Sequence, residues 1–377
     1  MALLGAIFVP AVSAEEENEI SKSQIDKYIV SESDAFINAE GFFYEYVYTG
    51  MGSEEPDKWK NAYVSRNPIK VYDANQKLLY YRFDIIKNSQ VIGNILASGN
   101  KLIEKTILRF EDELNPYSKK LKEMEKEFGK SDMPLIIGYH AFGLAKLIEN
   151  EKEVYVEDIV TGEDIKIDNT INIFDQFEEK SILSRVSNWD QEFAYFNKMD
   201  KEDFIQISKT ETKSWSNWCH LEGISMVLQP SGSEWCGVAT AKMAAYYYGK
   251  DHSGSHILDV MDINFPSESA SDNDIVDYMR YDVGVSSCVL PYSWDCNYQS
   301  YKNEIGTRGN PDDPVLESIT WISNGKTHSR LITGWYETSQ NPRYYVYVHC
   351  PSEGPGLEPF YGNDDIFSRV YYGTLEK

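Results

Sequence analysis

The chain has 377 residues, of which 42% are hydrophobic and 14% aromatic. That length leaves room for two domains with cores of their own, and the aromatic content argues against a disordered protein. With 60 acidic and 36 basic residues, the net charge is −24 at pH 7. This balance argues against nucleic acid or an anionic membrane surface as a partner, because both need a basic face.

The first 14 residues form an apolar stretch that ends in small residues, and three glutamates follow it. This order is typical of the second half of a secretory signal peptide, whose basic beginning is missing here. We therefore expect residues 1–14 to be a partial signal peptide and the protein to be secreted or held at the cell surface. An apolar N-terminus that is kept is the alternative. No run reaches the roughly 20 apolar residues of a membrane-spanning helix, so no span is expected.

Residues 15–168 predict an α+β domain of helices and an antiparallel meander. Apolar residues recur at helical spacing between residues 23 and 41, and the segment 78–86 has apolar residues at every second position between turn signals. A further helix is predicted to end at Gly129, and more strands follow it. This half has His140 as its one histidine and has no cysteine, so it gathers no catalytic groups.

Residues 169–215 are rich in charged and polar residues. We interpret them as a partly helical linker that passes into an exposed connection. Exposed connections are preferred sites of proteolytic cleavage, and a cut here would separate the two halves of the chain.

The segment from Gln229 to Gly249 is the part of the chain best suited to carry chemistry. Pro230 and Gly232 predict turns that bring Cys236 to the start of a run of helix-forming residues, which Gly249 ends. Unpaired N–H groups and the positive end of the helix dipole lower the pKa of a cysteine at such a position and make it a nucleophile. The Gln229 side-chain amide and the Cys236 backbone N–H can then donate to an oxyanion.

This segment combines a glutamine, a short turn, an aromatic residue, Cys236-Gly237 and a helix of small residues. It resembles the nucleophile segment of papain-like cysteine peptidases, and within them the bacteriocin-leader-processing type and its secreted relatives. The resemblance implies a papain-like domain over residues 216–377, in which a helix packs on an antiparallel sheet. A buried structural cysteine is the alternative for Cys236 taken alone.

His328 follows in the context that this family requires. Two β-rich runs are joined by Asn324-Gly325, which is the strongest short hairpin signal, so His328 is predicted near the start of the second strand. The run from His328 to Gly334 is similar to the histidine strand of the family. The resemblance implies that His328 is the general base.

The third member of the family's site is an Asn or Asp at the end of the next strand, just before a proline, where it accepts from the imidazole N–H. Here the residue before Pro351 is Cys350, with His349 beside it, and neither is a usual acceptor. A backbone carbonyl can take the place of the missing acceptor, or the enzyme is slow or inactive. Other candidate side chains are Asn341, Asp364 and Asp365.

The remaining ionisable groups predict no metal and no cofactor. His252 and His256 have Gly254 between them and no accompanying cysteine or acidic ligand, and the turn at residues 363–365 lacks the alternating spacing of a calcium loop. If Cys236 is the nucleophile, the other four cysteines allow three disulfide pairings or stay reduced. They are Cys219, Cys288, Cys296 and Cys350.

Taken together, the chain is predicted to be an α+β protein and a secreted cysteine peptidase that hydrolyses protein or peptide substrates by Cys–His acyl transfer. Its N-terminal half weakly resembles the segment that precedes the catalytic domain in streptopain-like peptidases. It is therefore either a pro-domain that covers its own catalytic domain or an accessory domain. Two other functions stay open: a transglutaminase-like or cell-wall amidase activity on the same fold, and a surface-binding protein that has lost catalysis.

Overall fold

The computed structural model describes residues 25–129, 132–140, 143–149, 154–165, 181–210, 218–230, 234–264, 268–288, 297–307, 310–321, 327–337, 344–360, 367–372 and 375–376. In these ranges the helices are α1 (Glu32–Thr49), α2 (Pro56–Trp59), α3 (Pro116–Phe128), α4 (Ile182–Phe196), α5 (Lys201–Thr210), α6 (Cys236–Tyr247), α7 (Gly254–Val260), α8 (Asp272–Tyr278) and α9 (Tyr298–Ile305). Below, residues 25–210 are the N-terminal half and residues 218–376 are the C-terminal half.

Strands are present in both halves. Those of the N-terminal half are β1 (Tyr63–Val64), β2 (Ile69–Tyr72), β3 (Leu78–Lys87), β4 (Gln90–Ser98), β5 (Ile107–Glu111), β6 (Ile136–His140), β7 (Gly143–Glu149), β8 (Val154–Asp158) and β9 (Asp164–Ile165). Those of the C-terminal half are β10 (Trp218–His220), β11 (Ser287–Cys288), β12 (Gly306–Thr307), β13 (Asn310–Pro311), β14 (Val315–Trp321), β15 (Thr327–Glu337), β16 (Tyr344–Cys350), β17 (Gly354–Pro359), β18 (Phe367–Tyr372) and β19 (Leu375–Glu376).

One large sheet runs through most of these strands. Its order is β18-β14-β15-β16-β17-β5-β4-β3-β2-β6-β7-β8-β9, with β1 beside β3 and β10 beside β15. Among the described strands of this sheet, β2 and β6 pair in parallel and the other neighbours are antiparallel. The prediction of an α+β protein with a mostly antiparallel sheet is confirmed.

The sheet is continuous between the two halves. Strand β17 pairs with β5 in an antiparallel arrangement, with Leu357 opposite Phe110. Close approach is possible there because Gly356 has no side chain, and a Cβ at this position would lie 2.8 Å from the Arg109 guanidinium. The predicted boundaries at residues 168 and 216 stay predictions.

Helices α4 and α5 lie in the segment that the sequence predicts to be a partly helical linker. Their side chains Trp189, Phe196 and Phe204 are buried in the same apolar core as Phe42 and Phe43 of α1. The indole N–H of Trp189 also donates to Ser98 Oγ on β4 at 2.7 Å. Residues 182–210 are therefore packed on α1 and β4, while residues 169–180 and 211–215 lie outside the described ranges.

Local signals set the ends of helix α3. Asn115 Oδ1 accepts the Ser118 backbone N–H at 2.8 Å, and Pro116 occupies the first turn, where its missing N–H costs nothing. The helix stops before Gly129, which has a φ of +75°, as the sequence predicts. These caps fix Asn115 in the connection between β5 and α3, beside the turn that precedes β17.

Helix α6 packs on the C-terminal part of the sheet through small side chains. Val238, Ala241 and Ala244 lie in one apolar core with Leu316 of β14 and Leu331 of β15. Alanine side chains allow the helix to approach the strands closely. The Thr240 hydroxyl fixes its position by donating to the Ser329 carbonyl on β15 at 3.0 Å.

Candidate active site

Cys236 is the first residue of α6, at the position that the sequence predicts, and it is 9% exposed. Burial alone would raise the pKa of its thiol. The hydrogen bond and charge of His328, together with backbone hydrogen bonds from Ser329 and Gly237, hold that pKa below its usual value instead. A sulfur surrounded by donors in this way is poised as a thiolate.

His328 lies near the start of β15 and reaches Cys236 from the facing strand. Strands β14 and β15 pair with each other as the sequence predicts, and Ile319 of β14 lies opposite His328. Burial alone would lower the pKa of the imidazole, but the charges of Cys350 and Cys236 and their hydrogen bonds raise it well above its usual value. Opposite shifts of the two pKa values favour a thiolate beside an imidazolium, which is the resting state of a cysteine nucleophile with its base.

Cys350 occupies the third position of the site, on the other side of the imidazole. Its Sγ lies 3.2 Å from His328 Nε2. The Cys350 thiol also donates to Glu353 Oε2 at 3.1 Å. Ser352 Oγ lies close to both groups, 3.2 Å from Cys350 Sγ and 3.4 Å from His328 Nε2. The structure thus brings together Cys236, His328 and Cys350.

His349 is adjacent to Cys350 on β16 and lies on the opposite face of the sheet, because successive side chains of a strand alternate. It is 7% exposed and its ring centroid lies 5.8 Å from that of Tyr347 and 6.4 Å from that of His220. Burial and the neighbouring His220 lower the pKa of His349 to about 4. The structure does not place it with His328. Asn341, Asp364 and Asp365 lie outside the described residues.

Gln229 lies beside the turn that follows Cys350. Its backbone N–H donates to the Pro351 carbonyl at 2.9 Å, and its side chain is partly buried. The candidate oxyanion donor is therefore anchored to the same end of β16 as the third position of the site. Residues 231–233, which connect Gln229 to Cys236, are outside the described ranges.

Sequence reasoning missed Glu353. It lies in the tight turn between β16 and β17, where its backbone N–H donates to the Cys350 carbonyl at 3.3 Å, and it is 1% exposed. A glutamate between serine and glycine ordinarily indicates a solvated turn. The signal that could have found it is its spacing of three residues from Cys350, which suits a turn that folds one side chain onto the other.

Two of the other cysteines, Cys219 and Cys288, lie in β10 and β11. Cys219, Cys236, Cys288 and Cys350 are all buried free thiols, and Cys296 is outside the described residues. His252 Nδ1 lies 2.9 Å from the Tyr278 hydroxyl.

Within the described ranges, no three His, Cys, Asp or Glu side chains are placed to hold a metal ion. No helix in the same ranges is long and apolar enough to cross a membrane.

The chain is similar in structure to a known protein. No family model matches the chain, and no curated protein matches it. A solved structure that matches is the crystal structure of a double glycine motif protease from an AMS/PCAT transporter in complex with the leader peptide, with 16% identity over 42% of this chain and 99% of that chain. Its TM-score is 0.27. At that value the likeness does not bear on activity, which rests on the geometry of the site itself.

Proposed function

We propose that this protein is a cysteine peptidase. The observation that carries the proposal is the contact between Cys236 at the start of α6 and His328 on β15, in which the thiol pKa is lowered and the imidazole pKa is raised. A buried thiol without such a partner has a raised pKa and is unreactive. Structural cysteines have no need of this pairing.

The reaction follows from the arrangement. The Cys236 thiolate attacks the carbonyl carbon of the substrate, and the resulting oxyanion accepts from the Cys236 backbone N–H and the Gln229 amide. The His328 imidazolium then donates its proton to the leaving amine, so that the C–N bond breaks and an acyl-enzyme remains. Neutral His328 next takes a proton from water, the hydroxide attacks the thioester, and Cys236 leaves as a thiolate.

The test is peptide cleavage by the full-length protein. A pool of peptides is incubated with the wild type, with Cys236→Ala and with Cys288→Ala. The last is the matched control, because Cys288 is a buried cysteine of strand β11 and not of helix α6. Mass spectrometry of the products should show new termini for the wild type and the control and none for Cys236→Ala. Cleavage by Cys236→Ala would overturn the proposal, and incorporation of an added amine without hydrolysis would point to an acyltransferase.

We propose further that the protein is secreted and that its N-terminal half stays with the catalytic residues. Residues 1–14 support secretion, and the substrate is then an extracellular protein or peptide. The sheet that both halves share favours an N-terminal half that stays with the catalytic residues, rather than one that leaves as a pro-domain. Trimming of the wild type between residues 169 and 215 with a gain of activity would support the pro-domain; full activity of the intact chain would support the accessory role.

A further inference from the structure

The turn between β16 and β17 places a buried carboxylate behind the third position of the site. We propose that Glu353 is the residue that orients His328, acting through the Cys350 thiol, and that the N-terminal half holds it there. This inference rests on the proposed function and deepens it. Cys350 touches the catalytic imidazole, whereas Glu353 is a positioning residue.

Two hydrogen bonds connect His328 to Glu353 through Cys350, and in each of them the donor is the group farther from Glu353. His328 Nε2 lies 3.2 Å from Cys350 Sγ, and the thiol donates its own proton to Glu353 Oε2 at 3.1 Å. A thiol is both a weak donor and a weak acceptor, so it can accept from an imidazolium N–H while it donates to a carboxylate. The proton that moves in the reaction is on the ring nitrogen that faces Cys236.

The Glu353 carboxylate lies beside other buried charged side chains. A chain of buried ion pairs runs through the join between the halves, and we call it the buried ion-pair chain. Its members alternate in the order Arg82–Glu111–Arg109–Glu358–Arg330–Glu317. Glu353 lies at its side, with Oε2 at 3.9 Å from Arg109 Nη1.

Three arginines and three glutamates of the chain balance one another, so Glu353 adds one negative charge to this cluster of described residues. A buried carboxylate is stabilised by the positive charges around it, and an imidazolium nearby adds to that stabilisation. The ionisable groups that face the Glu353–His328 pair are Cys236 of α6, Cys350 of β16, Arg109 of β5 and Arg330 of β15. Arg109 lies within ion-pair distance of Glu353, and the His328 imidazolium, which Cys350 bridges to Glu353, supplies a second positive charge near this carboxylate.

Residues of the N-terminal half hold the turn on both sides. Asn115 Nδ2 donates to the Glu353 carbonyl at 2.8 Å, and Arg109 Nη2 donates to the Gly354 carbonyl at 2.8 Å. Asn115 is itself fixed as the N-cap of α3. Gly354 has a φ of +87°, a conformation that favours glycine and lets the chain turn back into β17. The orientation of Glu353 is thus set from outside the C-terminal half.

The experiment measures the titration of His328 by ¹⁵N NMR of imidazole resonances, assigned with His328→Ala, in parallel with kcat/KM against pH. Glu353→Gln keeps the shape of the side chain and removes its charge. The midpoint for His328 should fall by about one pH unit, and the alkaline limb of kcat/KM should move down with it, because loss of a nearby negative charge destabilises the imidazolium. Glu317→Gln is the matched control, since it removes a buried carboxylate of the ion-pair chain that bonds Tyr301 and Arg330 instead.

A double-mutant cycle decides whether Glu353 acts through Cys350. The double variant Glu353→Gln/Cys350→Ala should lose no more activity than Cys350→Ala alone, because the bridge is already gone. Additive losses, or a His328 midpoint that Glu353→Gln leaves unchanged, would overturn the inference. The NMR readout needs no substrate: a protein that shows the expected shift yet cleaves no peptide would retain the positioning role and lose the proposed function.

Discussion

Cys219 and Cys288 are less exposed to solvent than Cys236, and burial raises the pKa of each of their thiols to about 11. Cys236 has a lowered pKa in spite of its own burial, because His328 and two backbone N–H groups face its sulfur. Local sequence could predict Cys236 and His328, since a helix start and a hairpin are local signals. It could not predict Glu353, whose role depends on contacts with Arg109 and Asn115, more than two hundred residues away in the chain.

The substitution Gln229→Ala removes the side chain that is proposed to donate to the oxyanion. We expect kcat to fall by about a hundredfold with little change in KM, because the donor acts mainly in the transition state. The backbone hydrogen bond from residue 229 to the Pro351 carbonyl should survive, since it does not involve the side chain. Steady-state kinetics of Gln229→Ala are compared with those of the control Gln299→Ala. Gln299 lies on α9, where its side chain bonds Asn303. An unchanged kcat would place the donor elsewhere.

At the scale of elements, the parts that the sequence predicts are those with local punctuation. Helix α6 begins at Cys236 and ends before Gly249, and β14 and β15 form the predicted hairpin, with Thr320 opposite Thr327. The pairing of β5 with β17 has no such signal, because the two strands lie far apart in the chain and their join depends on side chains of both halves. Long-range register of this kind is set by packing rather than by turn chemistry.

The join between β5 and β17 should depend on Arg109. Arg109→Met leaves the carboxylates of Glu111 and Glu358 buried beside an apolar side chain, which typically costs about 3 to 5 kcal/mol of unfolding free energy. Urea unfolding followed by circular dichroism measures the loss. Lys120→Met is the matched control, because its pair with Glu123 on α3 is exposed and such pairs contribute about 0 to 1 kcal/mol. Equal effects of the two substitutions would contradict the role given to the buried ion-pair chain.

For the whole molecule, the shared sheet implies that the two halves form a single working unit. The sequence predicts an N-terminal α+β part and a Cys–His part, and the described residues show how they meet: by strand pairing, by the buried ion-pair chain and by the hold of Asn115 on the Glu353 turn. Composition and periodicity do not predict these contacts between the two halves. The sequence predicts residues 169–215 to be a partly helical linker that passes into an exposed connection, and the described helices of this segment, α4 and α5, pack in the same apolar core as α1.

This unity predicts the behaviour of a cut chain. A recognition sequence for a specific protease, placed after residue 215 in the Cys236→Ala protein, would sever the connection without disturbing the described helices. Both fragments should co-elute on size-exclusion chromatography after cleavage and should separate only in denaturant. Dissociation under native conditions would mean that the sheet does not hold the halves together and would favour a pro-domain that leaves.

The most direct test of the Cys236–His328 pair is the rate of alkylation by iodoacetamide as a function of pH, read for each cysteine by mass spectrometry. Since the pKa of Cys236 is held below its usual value, its thiolate should persist at about pH 6, well below the usual thiol pKa, and Cys236 should react at least about tenfold faster than Cys219 or Cys288. In His328→Ala the partner is lost, the pKa rises, and labelling at that pH should fall to the rate of the other thiols. Uniform labelling of the wild type, or fast labelling of Cys236 that His328→Ala leaves unchanged, would contradict the account.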